Sequence, residues 1–134
     1  MTKGSDQKEI QYGQGTVLLV DDEEIIVEVG RAILKKLGYR VFTAGSGQEA
    51  LDLFVKQREE IDLVILDMIM PGMGGGEAYD RLKEIDEHVR VLLSSGYTLD
   101  GQAKEILGRG CRGFIQKPFN VEKLSRKVKG ILEE

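Results

Sequence analysis

Five polar residues that could act together in chemistry each stand at or just after the end of an apolar run: Asp21, Asp22, Asp67, Ser95 and Lys117. If these runs are strands of one parallel sheet, their carboxyl ends share an edge and bring the five side chains together. Three neighbouring carboxylates repel one another and raise each other's pKa, and a hard divalent cation relieves that repulsion. A Mg²⁺ held by Asp22 and Asp67, beside Lys117 and a serine hydroxyl, is suited to receive a phosphoryl group. Asp67 would then be the nucleophile and would form an acyl phosphate.

The pattern of apolar residues predicts the elements that would position these side chains. Five short runs predict strands, at residues 17–20, 39–43, 61–66, 89–93 and 112–116. Helical spacing follows each strand: from Ile26 to Leu37, from the Ser46–Glu49 capping box, over 77–85, over roughly 99–107, and from Asn120 to Leu132. Five βα units in series predict a single doubly wound α/β domain, a five-stranded parallel sheet with helices on both faces. The second strand is the more polar one, which favours a place at the edge of the sheet.

Length and composition limit what the chain can be. Its 134 residues suit one domain, and its net charge of −4 does not favour direct binding of nucleic acid. No run approaches the roughly 20 apolar residues of a membrane span, and the N-terminal residues do not predict a secretory signal. Cys111 is the one cysteine, so no internal disulfide is possible and a cytoplasmic setting is expected. We expect residues 1–15 to be a polar tail or linker and residues 16–134 to be the domain.

Four motifs together resemble one known family. They are VDDE at residues 20–23, LDMIMPG at 66–72, SG at 95–96 and FIQKPF at 114–119. In this order, and at strand ends, they are similar to the receiver domain of bacterial two-component response regulators, from Thr16 to about Leu132. The resemblance implies a flavodoxin-like sheet in the order 2-1-3-4-5. It also implies that a histidine kinase or phosphotransfer domain is the partner, either of a stand-alone regulator or of a receiver within a hybrid sensor kinase.

The resemblance further implies the roles of the residues at the site. Asp67 would be the phosphoacceptor. Asp21 and Asp22 would bind Mg²⁺ with Asp67, and the backbone carbonyl of Ile69 would be a further ligand. Lys117 would contact the phosphoryl group. The domain would catalyse at most its own phosphorylation and a slow dephosphorylation, because the apolar Ile69 side chain cannot orient an attacking water.

The resemblance also implies a switch. Ser95 matches the switch hydroxyl and Phe114 the switch aromatic, and Gly96 matches a small residue that leaves the phosphoryl donor room. The peptide bond before Pro118 would be cis. Phosphorylation would draw in the Ser95 hydroxyl, let Phe114 turn, and change the face formed by helix 4, strand 5 and helix 5. An effector or a second copy of the chain would bind that face.

The acidic residues are also compatible with structural roles and with two different functions. Asp21 or Asp22 could cap the first helix and Asp67 could form a turn. A phosphohydrolase of the haloacid dehalogenase type also uses an Asp nucleophile and Mg²⁺, but it needs a second Asp two residues later, where this chain has Ile69. A pseudo-receiver that docks partners without phosphorylation is the second alternative function, against which the complete acidic set and Lys117 argue.

One glycine-rich loop and several single residues carry further expectations. The glycines of residues 72–76 match neither a P-loop nor a dinucleotide fingerprint, so we expect a mobile loop with a weak helix start. Ser94 is expected to be structural, His88 solvated and Cys111 a small buried apolar residue. Tyr97 could be a second aromatic that reports the switch.

Overall fold

The computed structural model describes residues 9–96 and 101–134 as five strands that alternate with five helices. The strands are β1 (Thr16–Val20), β2 (Arg40–Ala44), β3 (Leu63–Asp67), β4 (Val91–Ser95) and β5 (Gly113–Gln116). The helices are α1 (Glu24–Lys36), α2 (Gly47–Gln57), α3 (Gly75–Ile85), α4 (Gly101–Gly108) and α5 (Val121–Leu132). No helix in these described ranges is long and apolar enough to cross a membrane.

All strand pairs are parallel, and the sheet has the order β2-β1-β3-β4-β5. This confirms the predicted fold class and strand order. Strands β1, β3 and β4 are buried along their whole length, because helices cover both faces of the sheet and leave no place for polar alternation. Strand β2 lies at the edge and is only partly buried, as its polar residues predicted.

Side chains alternate between two apolar layers, one on each face of the sheet. Leu18, Val64 and Leu93 pack in a layer with residues of α2, α3 and α4, which we call the α2–α4 face. Leu19 and Ile65 pack in a second layer with residues of α1 and α5, which we call the α1–α5 face. Because the alternation continues to the strand ends, it decides towards which face each polar residue at the carboxyl edge points.

Side-chain caps fix two of the helix starts that the sequence predicted. The Ser46 hydroxyl accepts from the Glu49 N–H at 3.1 Å, and the Asn120 side chain accepts from the Lys123 N–H at 2.9 Å. The Glu49 carboxylate accepts from the Gly45 N–H at 2.6 Å, one residue before the position that a standard capping box would use.

Several element boundaries differ from prediction, and strand β3 begins at Leu63, two residues later than predicted. Strand β4 begins at Val91, two residues later than predicted, because the buried Val89 closes a turn by donating its N–H to the Asp86 carbonyl at 3.0 Å. Helix α3 begins at Gly75, two residues earlier than predicted, where a Cβ would lie 2.7 Å from the Asp67 carbonyl oxygen. Whether residues 72–76 are mobile stays a prediction, and Tyr97 lies outside the described residues.

The described part of the N-terminal segment lies against α1 and α5. The Gly13 N–H donates to the Leu37 carbonyl at 2.9 Å, and the Gln11 N–H donates to the Ser125 hydroxyl at 3.1 Å. The Lys129 ammonium donates to the Tyr12 carbonyl at 2.9 Å. Gln11, Tyr12 and Gly13, which we expected to belong to a tail or linker, therefore make contacts with the domain that we expected to begin at residue 16.

Candidate functional site

The carboxyl edge of the sheet contains a pocket of about 450 Å³, lined by Asp22, Glu23, Asp67, Ile69, Ser95, Gly96 and Lys117. Asp67 is the last residue of β3 and Ser95 the last of β4, while Asp22 and Lys117 follow the neighbouring strands β1 and β5. The structure therefore brings these predicted site residues into one pocket, and Asp21 lies beside them with its side chain 1% exposed.

The ammonium of Lys117 lies among three carboxylates. Its Nζ is 2.8 Å from Asp21 Oδ2, 3.2 Å from Asp67 Oδ1 and 3.4 Å from Glu23 Oε1. The side chains of Lys117 and Asp67 are only 9% and 3% exposed, so this ion pair is shielded from water. A buried charge group of this kind is costly unless its members pair with one another, so these residues depend on each other.

Burial changes the acidity of both partners. Burial, and after it the charge of Asp21, raise the pKa of Asp67 from its usual 3.8 to about 6, although Lys117 and the Ile69 N–H oppose the rise. Burial alone would lower the pKa of Lys117, but its hydrogen bonds and charge interactions with Asp21 and Asp67 outweigh that effect and raise it. Near pH 7 the Lys117 ammonium is therefore charged, and the pH is only slightly above the pKa of Asp67.

Three carboxylates are close enough to share one cation. Oxygens of Asp21, Asp22 and Asp67 all lie within 4.8 Å of one another. Two of these residues are buried and Asp22 is exposed, so one side of the cluster is open to water ligands. This all-oxygen donor set fits Mg²⁺, which prefers a few carboxylates and keeps several waters.

Backbone groups hold the carboxylates in place. Asp21 Oδ1 accepts from the Glu23 N–H at 2.9 Å, and the N-cap residue of α1 is Glu23, whose side chain makes no cap. Neither Asp21 nor Asp22 therefore caps that helix. Asp67 Oδ1 also lies 3.5 Å from the Ile69 N–H, at the limit of a hydrogen bond. These hydrogen bonds come from uncharged backbone groups, so they orient the two carboxylates and do not neutralise their charge.

The loop after β3 passes close to α3. The Met68 N–H donates to the Ser94 carbonyl at 2.8 Å, and the Gly75 N–H donates to the Met68 carbonyl at 2.8 Å. A Cβ on Gly75 would come within 2.7 Å of both the Asp67 carbonyl oxygen and Met68 Cα. The first residue of α3 therefore has to be glycine if Asp67 is to keep its place.

The predicted switch residues lie on the α2–α4 face. Ser95 is 3% exposed and lines the pocket, and space around Gly96 is open. Phe114 is half-buried, packs against the α2–α4 layer and pairs with Leu93, which puts it diagonal to Ser95 on the same face. The Lys117–Pro118 bond is cis, as the resemblance predicted.

Two nearby residues had no predicted role in the chemistry. Glu23 contributes the third carboxylate near Lys117, and the signal for it was its place in the VDDE motif. Ser94 has a buried hydroxyl with no hydrogen-bond partner among the described residues. His88 is exposed and Cys111 is buried, both as predicted.

Comparisons with known proteins agree with this geometry. The model of the response regulator receiver domain matches residues 17–129. Over 116 residues the chain is 37% identical to the sporulation initiation phosphotransferase F of Bacillus subtilis (strain 168), which covers 87% of this chain and 92% of that protein. Over 122 residues it is 35% identical to the sensor kinase CckA of Brucella abortus (strain 2308), which covers 91% of this chain but 13% of CckA.

The fold comparison gives the same family. A chain from the CheX–CheY–BeF3–Mg²⁺ complex of Borrelia burgdorferi superposes with a TM-score of 0.82 at 31% identity, over 87% of this chain and 88% of that one. The sequence comparison and the fold comparison thus agree on one kind of protein. The chain belongs to the response regulator receiver domain family.

Proposed function

We propose that this receiver domain is a signalling switch in which Asp67 accepts a phosphoryl group from a histidine kinase or phosphotransfer domain. The observation that carries the proposal is the buried Lys117 ammonium, which lies within 3.2 Å of oxygens of both Asp21 and Asp67. An ammonium held in this way marks where the oxygens of an incoming phosphoryl group would find positive charge.

Each residue at the site has a step in the transfer. An oxygen of Asp67 forms a bond to phosphorus as the bond between phosphorus and the donor's histidine nitrogen breaks, which leaves an acyl phosphate on the chain. Lys117 exchanges one carboxylate contact for a phosphoryl oxygen, and the Ser95 hydroxyl donates to another. Asp21, Asp22 and Asp67, with the Ile69 carbonyl, would hold a Mg²⁺ whose charge offsets that of the transferred group.

The signal would leave the site through the switch pair. Ser95 moves towards the phosphoryl oxygen, and the half-buried Phe114, diagonal to it on the α2–α4 face, turns into the space that Ser95 leaves. This changes the surface formed by α4, β5 and α5, to which an effector or a second copy would bind. Phosphorylation then acts by shifting the populations of two conformations.

Exposed apolar residues lie at the pocket and near the start of α1, the helix that follows Asp22 and Glu23, and they suit a docking partner. Ile25 and Val29 lie one turn apart near the start of α1 and are 64% and 43% exposed, and Ile69 at the pocket is 56% exposed. Only two other large apolar side chains in residues 9–96 and 101–134 are as exposed. A kinase or phosphotransfer domain that buries Ile25, Val29 and Ile69 would place its phosphohistidine over Asp67.

The phosphohydrolase alternative lacks support at the residue that would have to be its general acid. A haloacid dehalogenase type of phosphohydrolase needs a general acid two residues after the nucleophile, and that position holds the exposed, apolar Ile69. The side chain of Ile69 also offers no polar group to orient water, so we expect the acyl phosphate to be lost slowly. We further propose that the domain works in the cytoplasm, either alone or within a longer kinase, since its relatives include both arrangements.

Titration with beryllofluoride and Mg²⁺, a stable mimic of the phosphoryl group, tests the proposal. We expect the wild-type chain to bind and Asp67→Asn to lose binding, while Asp52→Asn on the exposed surface of α2 binds as the wild type does. Binding that survives Asp67→Asn, or no binding by the wild type, would contradict a phosphoacceptor role. Turnover of p-nitrophenyl phosphate by the wild type would favour the phosphohydrolase instead.

A further inference from the structure

Ser94 has an unusual place for a serine. It is the fourth of the five residues of β4, it is 1% exposed, and its hydroxyl has no hydrogen-bond partner among residues 9–96 and 101–134. A buried hydroxyl without a partner costs folding stability, and an alanine or valine would fill a strand interior without that cost. Within the described part of the chain, the hydroxyl is therefore available to accept a hydrogen bond.

The strand register puts Ser94 beside the acidic site. Ser94 pairs with Asp67 on one side and with Ile115 on the other. Ile115 packs in the α1–α5 layer, and Leu92, two residues before Ser94, packs there too. By alternation, Ser94 points towards the same face as Asp67 and Lys117, whereas its neighbour Ser95 points towards the α2–α4 face.

Lys117 has to cross the end of β4 to reach its partners. It follows β5, while Asp67 ends β3, two strand spacings away, which is roughly 10 Å. The Lys117 side chain covers this span, since its Nζ lies 3.2 Å from Asp67 Oδ1, and β4 lies between the two strands. Ser94, which pairs with Asp67 and lies on the middle one of these three strands, is therefore placed between the strand that Asp67 ends and the strand that Lys117 follows.

The ammonium of Lys117 needs another acceptor once a cation binds. Its three N–H groups face the oxygens of Asp21, Asp67 and Glu23. A divalent cation bound by the carboxylates of Asp21 and Asp67 draws on two of these oxygens and repels the ammonium. Until a phosphoryl group arrives, the 9% exposed ammonium would keep Glu23 as a carboxylate acceptor, and a hydroxyl with free lone pairs could replace an acceptor that it loses to the cation.

We propose that Ser94 is a positioning residue whose hydroxyl accepts a hydrogen bond from the Lys117 ammonium when a divalent cation occupies the Asp21–Asp22–Asp67 cluster. This inference rests on the proposed function, because it assumes that the cluster binds a cation before phosphoryl transfer. Among residues 9–96 and 101–134 the hydroxyl has no hydrogen-bond partner, and with a cation bound it would hold Lys117 ready for the phosphoryl oxygens.

The test compares Mg²⁺ affinity with metal-free stability in Ser94→Ala, Ser94→Thr and, as a matched buried serine far from the site, Ser125→Ala. Calorimetric titration should show Mg²⁺ binding about fivefold weaker in Ser94→Ala, which is the worth of one hydrogen bond, and close to wild type in the other two variants. Urea unfolding in EDTA should show no loss of stability in Ser94→Ala. In contrast, Ser125→Ala should lose stability, because its hydroxyl accepts from Gln11 and donates to the Glu122 carbonyl.

The outcomes separate this inference from the proposed function. Ser94→Ala that binds Mg²⁺ as tightly as the wild type, or that is less stable than the wild type in EDTA, overturns the role of Ser94. If Ser94→Thr binds as weakly as Ser94→Ala, the hydroxyl is not the cause and the inference also fails. In each of these cases beryllofluoride binding that depends on Asp67 would leave the proposed function standing. A wild-type chain that binds no Mg²⁺ would overturn both.

Discussion

Replacing Asp67 with asparagine should stabilise the metal-free fold, although it removes the proposed phosphoacceptor. The Asp67 carboxylate is 3% exposed, and its pKa is raised from 3.8 to about 6 by burial and by the charge of Asp21. Each tenfold change in proton affinity corresponds to about 1.4 kcal/mol, so ionising this group costs the folded chain up to about 3 kcal/mol relative to the unfolded chain. An uncharged asparagine of the same shape avoids that cost.

The pH dependence fixes the sign of the effect. Below pH 3.8 Asp67 is protonated in both the folded and the unfolded chain, so it contributes no difference. Between pH 3.8 and about 6 the unfolded chain ionises first, and the fold loses stability as the pH rises. Above pH 6 both states are ionised and the full cost remains. Linkage then predicts that the free energy of unfolding of Asp67→Asn exceeds that of the wild type by about 1 kcal/mol at pH 4.5 and by about 3 kcal/mol at pH 7.5.

Urea unfolding followed by circular dichroism, in EDTA and at several pH values, measures this advantage. The exposed Asp52→Asn is the matched control, and we expect it to change stability by no more than about 0.5 kcal/mol at any pH. Saturating Mg²⁺ should narrow the gap at pH 7.5, because it binds the folded wild-type chain and stabilises it by mass action. The reasoning is refuted if Asp67→Asn is less stable than the wild type at pH 7.5, or if its advantage does not grow with pH.

Two further predictions concern the residues that keep Asp67 in place. Lys117→Met leaves Asp21 and Asp67 buried without their cation and should lower the free energy of unfolding by about 3 kcal/mol at pH 7.5; an equal loss at pH 4.5, where Asp67 is protonated, would contradict a loss caused by the broken ion pair. Gly75→Ala should cost about 2 kcal/mol and weaken beryllofluoride binding, because its Cβ would meet backbone 2.7 Å away. Gly74→Ala is the control, since its Cβ would meet nothing nearer than 3.7 Å, and equal losses in both variants would count against the close contact.

The sequence predicted the sheet well because its interior strands are parallel and buried. Continuous apolar runs mark strands of this kind, and the polar β2 was expected at the edge where it lies. Strand β4 lies two residues later than predicted, because being buried and being hydrogen-bonded to a neighbouring strand are different properties. Val89 is 8% exposed like a strand residue, yet its N–H closes a turn. Periodicity reports burial, and only the hydrogen bonds show where the ladder begins.

The start of α3 shows a second limit of sequence patterns. Glycine is a poor helix former, so the glycines of residues 72–76 predicted a weak, late start. The helix nevertheless begins at Gly75, because the backbone of Asp67 and Met68 passes too close for any side chain. That requirement comes from contacts between separate elements, which local propensity does not contain.

Residue types at the strand ends were enough to predict which side chains would meet, but not how they would pair. The position of the Lys117 ammonium between Asp21 and Asp67 depends on the register of four strands and on a side chain that spans two of them. For the same reason, the sequence did not predict roles for Glu23 and Ser94. Their parts depend on which face of the sheet each residue points towards.

The alternation of β4 offers a physical route from the chemistry of the site to the switch. Ser94 points towards the α1–α5 face with Lys117, and Ser95 points towards the α2–α4 face with Phe114. The backbone between them is braced on both sides, since the Ser94 carbonyl accepts from the Met68 N–H at 2.8 Å and the Ser95 carbonyl accepts from the Lys117 N–H at 2.7 Å. Because these two hydrogen bonds hold the backbone of the strand end in place, a rearrangement at the site would move the serine side chains and not the strand. Two adjacent serines on opposite faces of one strand would then link cation binding on one face to the movement of Phe114 on the other.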